Sequence, residues 1–181
     1  MKNTGGAGWT TPAGMSTPIP LGQNNPSWGT IPGALWLGTQ NPASSKSDAP
    51  GPYVFSTTFT PDAGDAGVNL AFNLLYDDTI EVLLNSTIIY SDMSPGYANP
   101  FKSVTSNNAA GFIANALNTL TFRVYNGVGP FQVNPVGVNV AFTTQETFKV
   151  NPIPEPASIA LWAGVCGLGL VMRRRYRFAK S

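Results

Sequence analysis

The sequence predicts an all-β protein: an antiparallel, jelly-roll-like β-sandwich of about eight strands, followed by a single C-terminal transmembrane helix. Three observations carry that expectation. Apolar and polar residues alternate with period 2 about seven times before residue 150, with turn residues between the runs. Charged residues make up only 10% of the chain, against about 25% in an ordinary globular protein. Their place is taken by the Asn, Thr, Ser, Gly and Pro of a hydroxyl- and amide-rich surface. Finally, the stretch from Pro156 to Met172 holds no charge and is followed at once by Arg173, Arg174 and Arg175.

Residues 1–33 are rich in Gly, Pro, Asn and Thr and read as loops and short edge strands. Ala34 to Leu37 is a short apolar strand candidate, and 41–52 is a polar loop. In Tyr53 to Phe59, residues 53, 55 and 59 share one face. An acidic, Gly-rich turn follows at 61–67. Val68, Leu70, Phe72 and Leu74 then alternate with Asn69, Ala71 and Asn73, and Asp77-Asp78 turns the chain. Ile80, Val82 and Leu84 form the next inward row, Asn85-Ser86 turns again, and Thr87 to Tyr90 returns. Residues 91–111 read as irregular, and Phe112 to Leu117 as a strand or one helical turn. Leu120, Phe122 and Val124 alternate with Thr121, Arg123 and Tyr125 before the turn signal Asn126-Gly127. Residues 129–135 read as a loop. Val138, Val140 and Phe142 make the last inward row, and Phe148 and Val150 close the domain.

Composition excludes a good deal of chemistry. There is no His, and the one Cys, Cys166, lies inside the apolar stretch. Nucleophile systems built on His and zinc sites of His/Cys type are therefore out of reach. Residues 1–150 hold five basic and eight acidic residues, a net of −3. With no basic patch outside the tail, nucleic acid is not an expected partner. Asp62/Asp65 and Asp77/Asp78 supply oxygens of the kind Ca²⁺ takes, but their spacing matches no EF-hand loop, and turn formation is the commoner role of such Asp residues. No metal site and no cofactor are assigned. Acids so few and so tied to turns do not make a glycosidase pair, so the chain is read as non-enzymatic. Asn85-Ser86-Thr87 is a formal glycosylation sequon.

The tail divides into a Pro-rich linker at 151–156, a span at 157–172 and a basic segment at 173–181. The seventeen uncharged residues from Pro156 to Met172 would extend about 25 Å as a helix, short for a hydrocarbon core of about 30 Å but within reach once arginines snorkel. The apolar side chains lie all round this helix, unlike the one-sided pattern of a soluble one. Arg173, Arg174, Arg175, Arg177 and Lys180 set its direction, leaving 1–150 on the side away from the cytoplasm. The first fifteen residues have one Lys and no apolar core of a secretory signal. An exported domain needs such a signal, so the start is expected to be truncated or miscalled.

Pro154-Glu155-Pro156, the apolar run to Met172 and the Arg173-Arg174-Arg175 cluster occur in that order at the C-terminus. Together they resemble the PEP-CTERM sorting signal of Gram-negative bacteria. The resemblance implies recognition by an exosortase, a membrane-embedded cysteine transpeptidase-like enzyme, and transfer of the domain from the inner membrane to the cell surface or biofilm matrix. Independently of it, two prolines hold this segment extended with unpaired backbone, a form a processing enzyme can grip.

Two further stretches, Tyr76 to Asn85 and Leu117 to Gly127 with Val136-Gly137-Val138 after them, resemble galactose-binding-like jelly-roll domains. Ser86 departs from the Gly usual at that turn. The resemblance implies a sandwich of the kind common on bacterial surfaces. Trp9, Trp28, Trp36, Tyr97 and Tyr125 are the aromatic rings that could stack on sugars. Trp36 sits in an apolar segment and reads as core. Trp28, flanked by Asn24, Asn25 and Ser27, is the first candidate for ligand binding. The leading expectation is an exported, non-enzymatic surface or matrix protein processed by an exosortase. The alternative is a carbohydrate-binding module acting on exopolysaccharide.

Overall fold

A computed structural model describes residues 3–4, 8–10, 19–20, 28–38, 48–94, 100–127 and 135–149. The chain divides after Lys149 into two units, and the expected linker, span and basic tail all lie outside the described residues. Among the described residues no helix is long and apolar enough to cross a membrane.

Unit one is a sandwich of two five-stranded antiparallel sheets. Among the described residues its ten strands are β1 (Trp9–Thr10), β2 (Ile19–Pro20), β3 (Leu37–Gly38), β4 (Gly51–Phe59), β5 (Gly67–Asp77), β6 (Thr79–Leu84), β7 (Thr87–Asp92), β8 (Lys102–Ser106), β9 (Asn118–Asn126) and β10 (Gly137–Phe148). One sheet runs β1-β4-β9-β6-β7 and the other β2-β3-β10-β5-β8. Successive strands switch sheets repeatedly, the wrapping of a jelly roll.

The alternation in the sequence accounts for the core. Phe55 pairs across from Phe122, which pairs across from Val82, and side chains directly opposite share a face. In the second sheet Leu74 faces Val140 and Tyr76 faces Val138. These rows meet between the sheets, where Phe72 and Phe122 pack edge to face at 5.7 Å. Trp9 leans on Phe122 at 5.4 Å from the sheet edge.

Three expectations change. The strand expected at Ala34 to Leu37 is only Leu37–Gly38. The segment Phe112 to Leu117 is neither strand nor helix but irregular, with a turn at Ala114-Asn115. A strand, β8, runs through the segment read as irregular, because pairing with β5 over Leu70 to Leu74 requires only Val104 to be buried.

Two asparagines tie down the segment that follows β8. Asn118 is fully buried. Its amide group donates to the Ile113 carbonyl at 2.8 Å and the Ala116 carbonyl at 2.9 Å, while its oxygen accepts the Ile113 N–H at 2.8 Å. Asn85 donates to the Gly111 carbonyl at 2.7 Å and to Asn118 Oδ1 at 2.9 Å, and accepts the Thr119 N–H at 2.9 Å. Asn85 takes a positive φ of 54°, which asparagine tolerates, so it serves here without Gly. Its amide is fully engaged, and the sequon at Asn85 is a structural turn.

Candidate polar face on the β4–β9–β6 sheet

Strand register sets out three rows on the outer side of this sheet. Tyr125 lies between Pro52 and Thr79; Arg123 between Val54 and Glu81; Thr121 between Ser56 and Leu83. Ser91 and Ile88 on β7 extend the last two rows. All are held on strands, so the geometry is fixed by the ladder and not by a loop.

Glu81 organises the centre. One carboxylate oxygen, Oε2, accepts the Tyr125 hydroxyl at 2.7 Å and Arg123 Nη1 at 3.0 Å. The Arg123 side chain is 38% exposed and that of Glu81 14%, so the acid is sheltered and the guanidinium faces solvent. The Tyr125 hydroxyl, then Glu81, raise the Arg123 pKa against partial burial, keeping it charged. Ser56 Oγ and Thr121 Oγ1 are 3.3 Å apart in the next row. The face thus offers an aromatic ring, a charged fork with N–H groups left over from its one carboxylate contact, and hydroxyls that both donate and accept. Those are the groups that recognise a polyhydroxylated ligand. The positive charge is already balanced by Glu81, so the face suits an uncharged one.

Trp28 does not belong to such a surface. It is 6% exposed, stacks on Trp36 at 4.2 Å, and donates its indole N–H to Asp77 Oδ2 at 2.7 Å. The pair covers the outer side of the other sheet at Gly137, where an added Cβ would meet Trp28 at 2.9 Å and Trp36 at 3.0 Å. The expected exposed sugar-stacking role of Trp28 is therefore corrected to a structural one. Trp36 is fully buried, as its apolar context led one to expect, and its indole N–H reaches the Gly29 carbonyl at 2.8 Å. Trp9 is half-buried against Phe122, and Tyr97 lies outside the described residues. Of the four candidate rings among the described residues, Tyr125 alone lies on the outer polar face, half-buried and with its hydroxyl fixed.

Asp62 and Asp65 close a turn, as expected, whereas Asp48 and Asp78 hold backbone brought in from far along the chain. Asp65 Oδ2 accepts the Asp62 N–H at 2.8 Å. Asp48 Oδ2 accepts from Val136 N at 2.9 Å and Asp78 Oδ2 from Gly127 N at 3.0 Å. Burial, followed by the neighbouring Asp78, pushes Asp77 up to about 8, with the Trp28 indole opposing. Among the described residues no group of three or more acids or cysteines is placed to hold a metal ion.

No protein-family model matches the chain, and the search of curated proteins gives no match either. Two solved structures are similar to it. One, described as "CBM4 structure and function", has a TM-score of 0.39 and 10% identity, covering 77% of this chain and 86% of that one. The other is a family 35 carbohydrate binding module from an environmental isolate, with a TM-score of 0.37 and 12% identity, covering 78% and 97%. Scores this low mark a remote likeness, and the two sheets are established by this chain's own ladders.

Proposed function

We propose that this chain is a non-enzymatic, exported module that holds neutral polysaccharide on the outer face of the β4–β9–β6 sheet. The observation that supports it is the Tyr125–Glu81–Arg123 constellation, an aromatic ring and a charged fork locked by one carboxylate among hydroxyls. Binding would come from ring stacking and hydrogen bonds, so affinity should be modest and nearly independent of salt. Delivery rests on the tail: Pro154-Glu155-Pro156 as the processing segment, 157–172 as an inner-membrane span before processing, and the Arg173–Lys180 charges as the cytoplasmic anchor. Processing by an exosortase would then release the domain to the cell surface or matrix, where exopolysaccharide is the ligand at hand.

The test is affinity electrophoresis of the full chain in detergent against a panel of neutral and acidic polysaccharides. Retardation by a neutral polymer that persists from low to high salt, and is lost in Tyr125→Ala, is the expected result. A parent chain that no polymer retards would sink the binding reading. For delivery, Glu155→Ala in an exosortase-bearing host should leave the protein uncut in the inner membrane. Equal mature masses for variant and parent would reduce Glu155 to a stalk residue.

A further inference from the structure

Two of the exposed apolar side chains stand where β10 leaves the sandwich. Ile113 is 50% and Leu117 60% exposed. Between them Asn115 Oδ1 faces Gly64 N at 3.5 Å, and the Lys149 side chain lies 3.9 Å from the position a Gly64 Cβ would take. The segment 107–117 carries no charge. It is not free to tuck these side chains away, because Asn118 grips the backbone of Ile113 and Ala116, and Asn85 grips Gly111.

We propose that this end of the sandwich is a lipid-facing surface, with Ile113 and Leu117 entering the headgroup–acyl boundary and Lys149 beside them on anionic headgroups. The proposal rests on the reading of 157–172 as a membrane span. Only residues 150–156 separate Lys149 from that span, and seven residues reach at most about 25 Å when extended. A tether that short raises the effective concentration of lipid at this end to the mM range and makes a weak apolar surface sufficient. Lys149 adds attraction to an anionic leaflet, opposed by the exposed Asp62 of the neighbouring turn and the exposed Glu146 near the end of β10. Leu35, at 50% exposure, stands beside Trp36 at the Gly137 end of β10, the end away from Lys149, and serves as the internal control.

The experiment uses the full chain with Cys166→Ser, labelled with an environment-sensitive fluorophore at Ile113→Cys, Leu117→Cys or Leu35→Cys, in vesicles of phosphatidylcholine and phosphatidylglycerol. Protease protection reports whether the span has inserted. With the span protected, labels at 113 and 117 should shift to the blue and be quenched by iodide several-fold less than the label at 35, at every lipid-to-protein ratio. Equal quenching at all three sites with a protected span overturns the proposal and leaves the span standing. Shielding that vanishes as lipid is increased assigns the surface to a second copy instead and overturns it too. An unprotected span removes the tail reading and the proposal with it.

Discussion

The outer faces of the two sheets make opposite use of the same kinds of residue. On the β10–β5 sheet two indoles stack over Gly137 and one bonds to a buried carboxyl, so aromatic and acid together extend the core. On the β9–β6 sheet a tyrosine and a glutamate form a similar ring-to-carboxyl bond, but beside an exposed guanidinium and, among the described residues, with no second ring stacked on it. An aromatic beside an acid thus extends the core on one sheet and stays at the surface on the other, according to what lies across the strand. Gly leaves room for a roof, whereas Val54, Thr121 and Glu81 make a solvated floor.

The comparison breaks most visibly at the roof. Trp36→Ala should lower unfolding free energy by about 3–5 kcal/mol, the usual cost of emptying a large core site, and Trp28→Ala should fall in the same range. Urea denaturation measures both. A Trp28→Ala chain as stable as its parent would place Trp28 back among the exposed rings. Gly137→Ala should cost about 1–3 kcal/mol by overpacking, seen as a lower midpoint with an unchanged slope.

Asp77 sharpens the contrast through pH. Its folded pKa, about 8, lies above the unfolded value, so the folded state holds the extra proton. The stability this confers is complete below about pH 4 and is lost as pH rises toward 8. Asp77→Asn should flatten that part of the stability–pH curve while still accepting the Trp28 N–H.

The polar face should show the smallest effect on stability and a clear one on binding. A half-exposed ion pair contributes about 1 kcal/mol or less. Arg123→Ala and Glu81→Gln should therefore barely move Tm. Both should weaken retention by polysaccharide, Glu81→Gln because Tyr125 and Arg123 lose their common anchor.

What could be read ahead of the structure followed the range of the interactions. Alternation within β4, β5, β6, β9 and β10 is local, and it placed Phe55, Phe72, Val82, Phe122 and Val140 inward. β8 escaped because a Lys-Ser-Val-Thr-Ser strand that buries one residue has no hydrophobic signature. Trp28 was misread because its polar chain neighbours do not foretell Gly137 and Asp77, which approach only in the fold. Tyr125 was visible as one ring among five. Its partnership with Glu81, 44 residues away, depends on the β6–β9 register, which no local pattern contains.

The position of β10 bears on how the molecule comes into being. It is the last of the described strands in chain order, yet it lies in the middle of its sheet, between β3 and β5. Asn3 and Thr4 bond to the part of it that β3 leaves unpaired, at Val140 and Phe142, across up to 139 residues of chain. Until β10 has been made, β3 and β5 have no common neighbour, and the sheet exists only as separate pieces. Such distant pairings close slowly. A ribosome still joined to residues near 137 therefore carries an unfinished sandwich, and commitment to the native state waits for the far end of the domain.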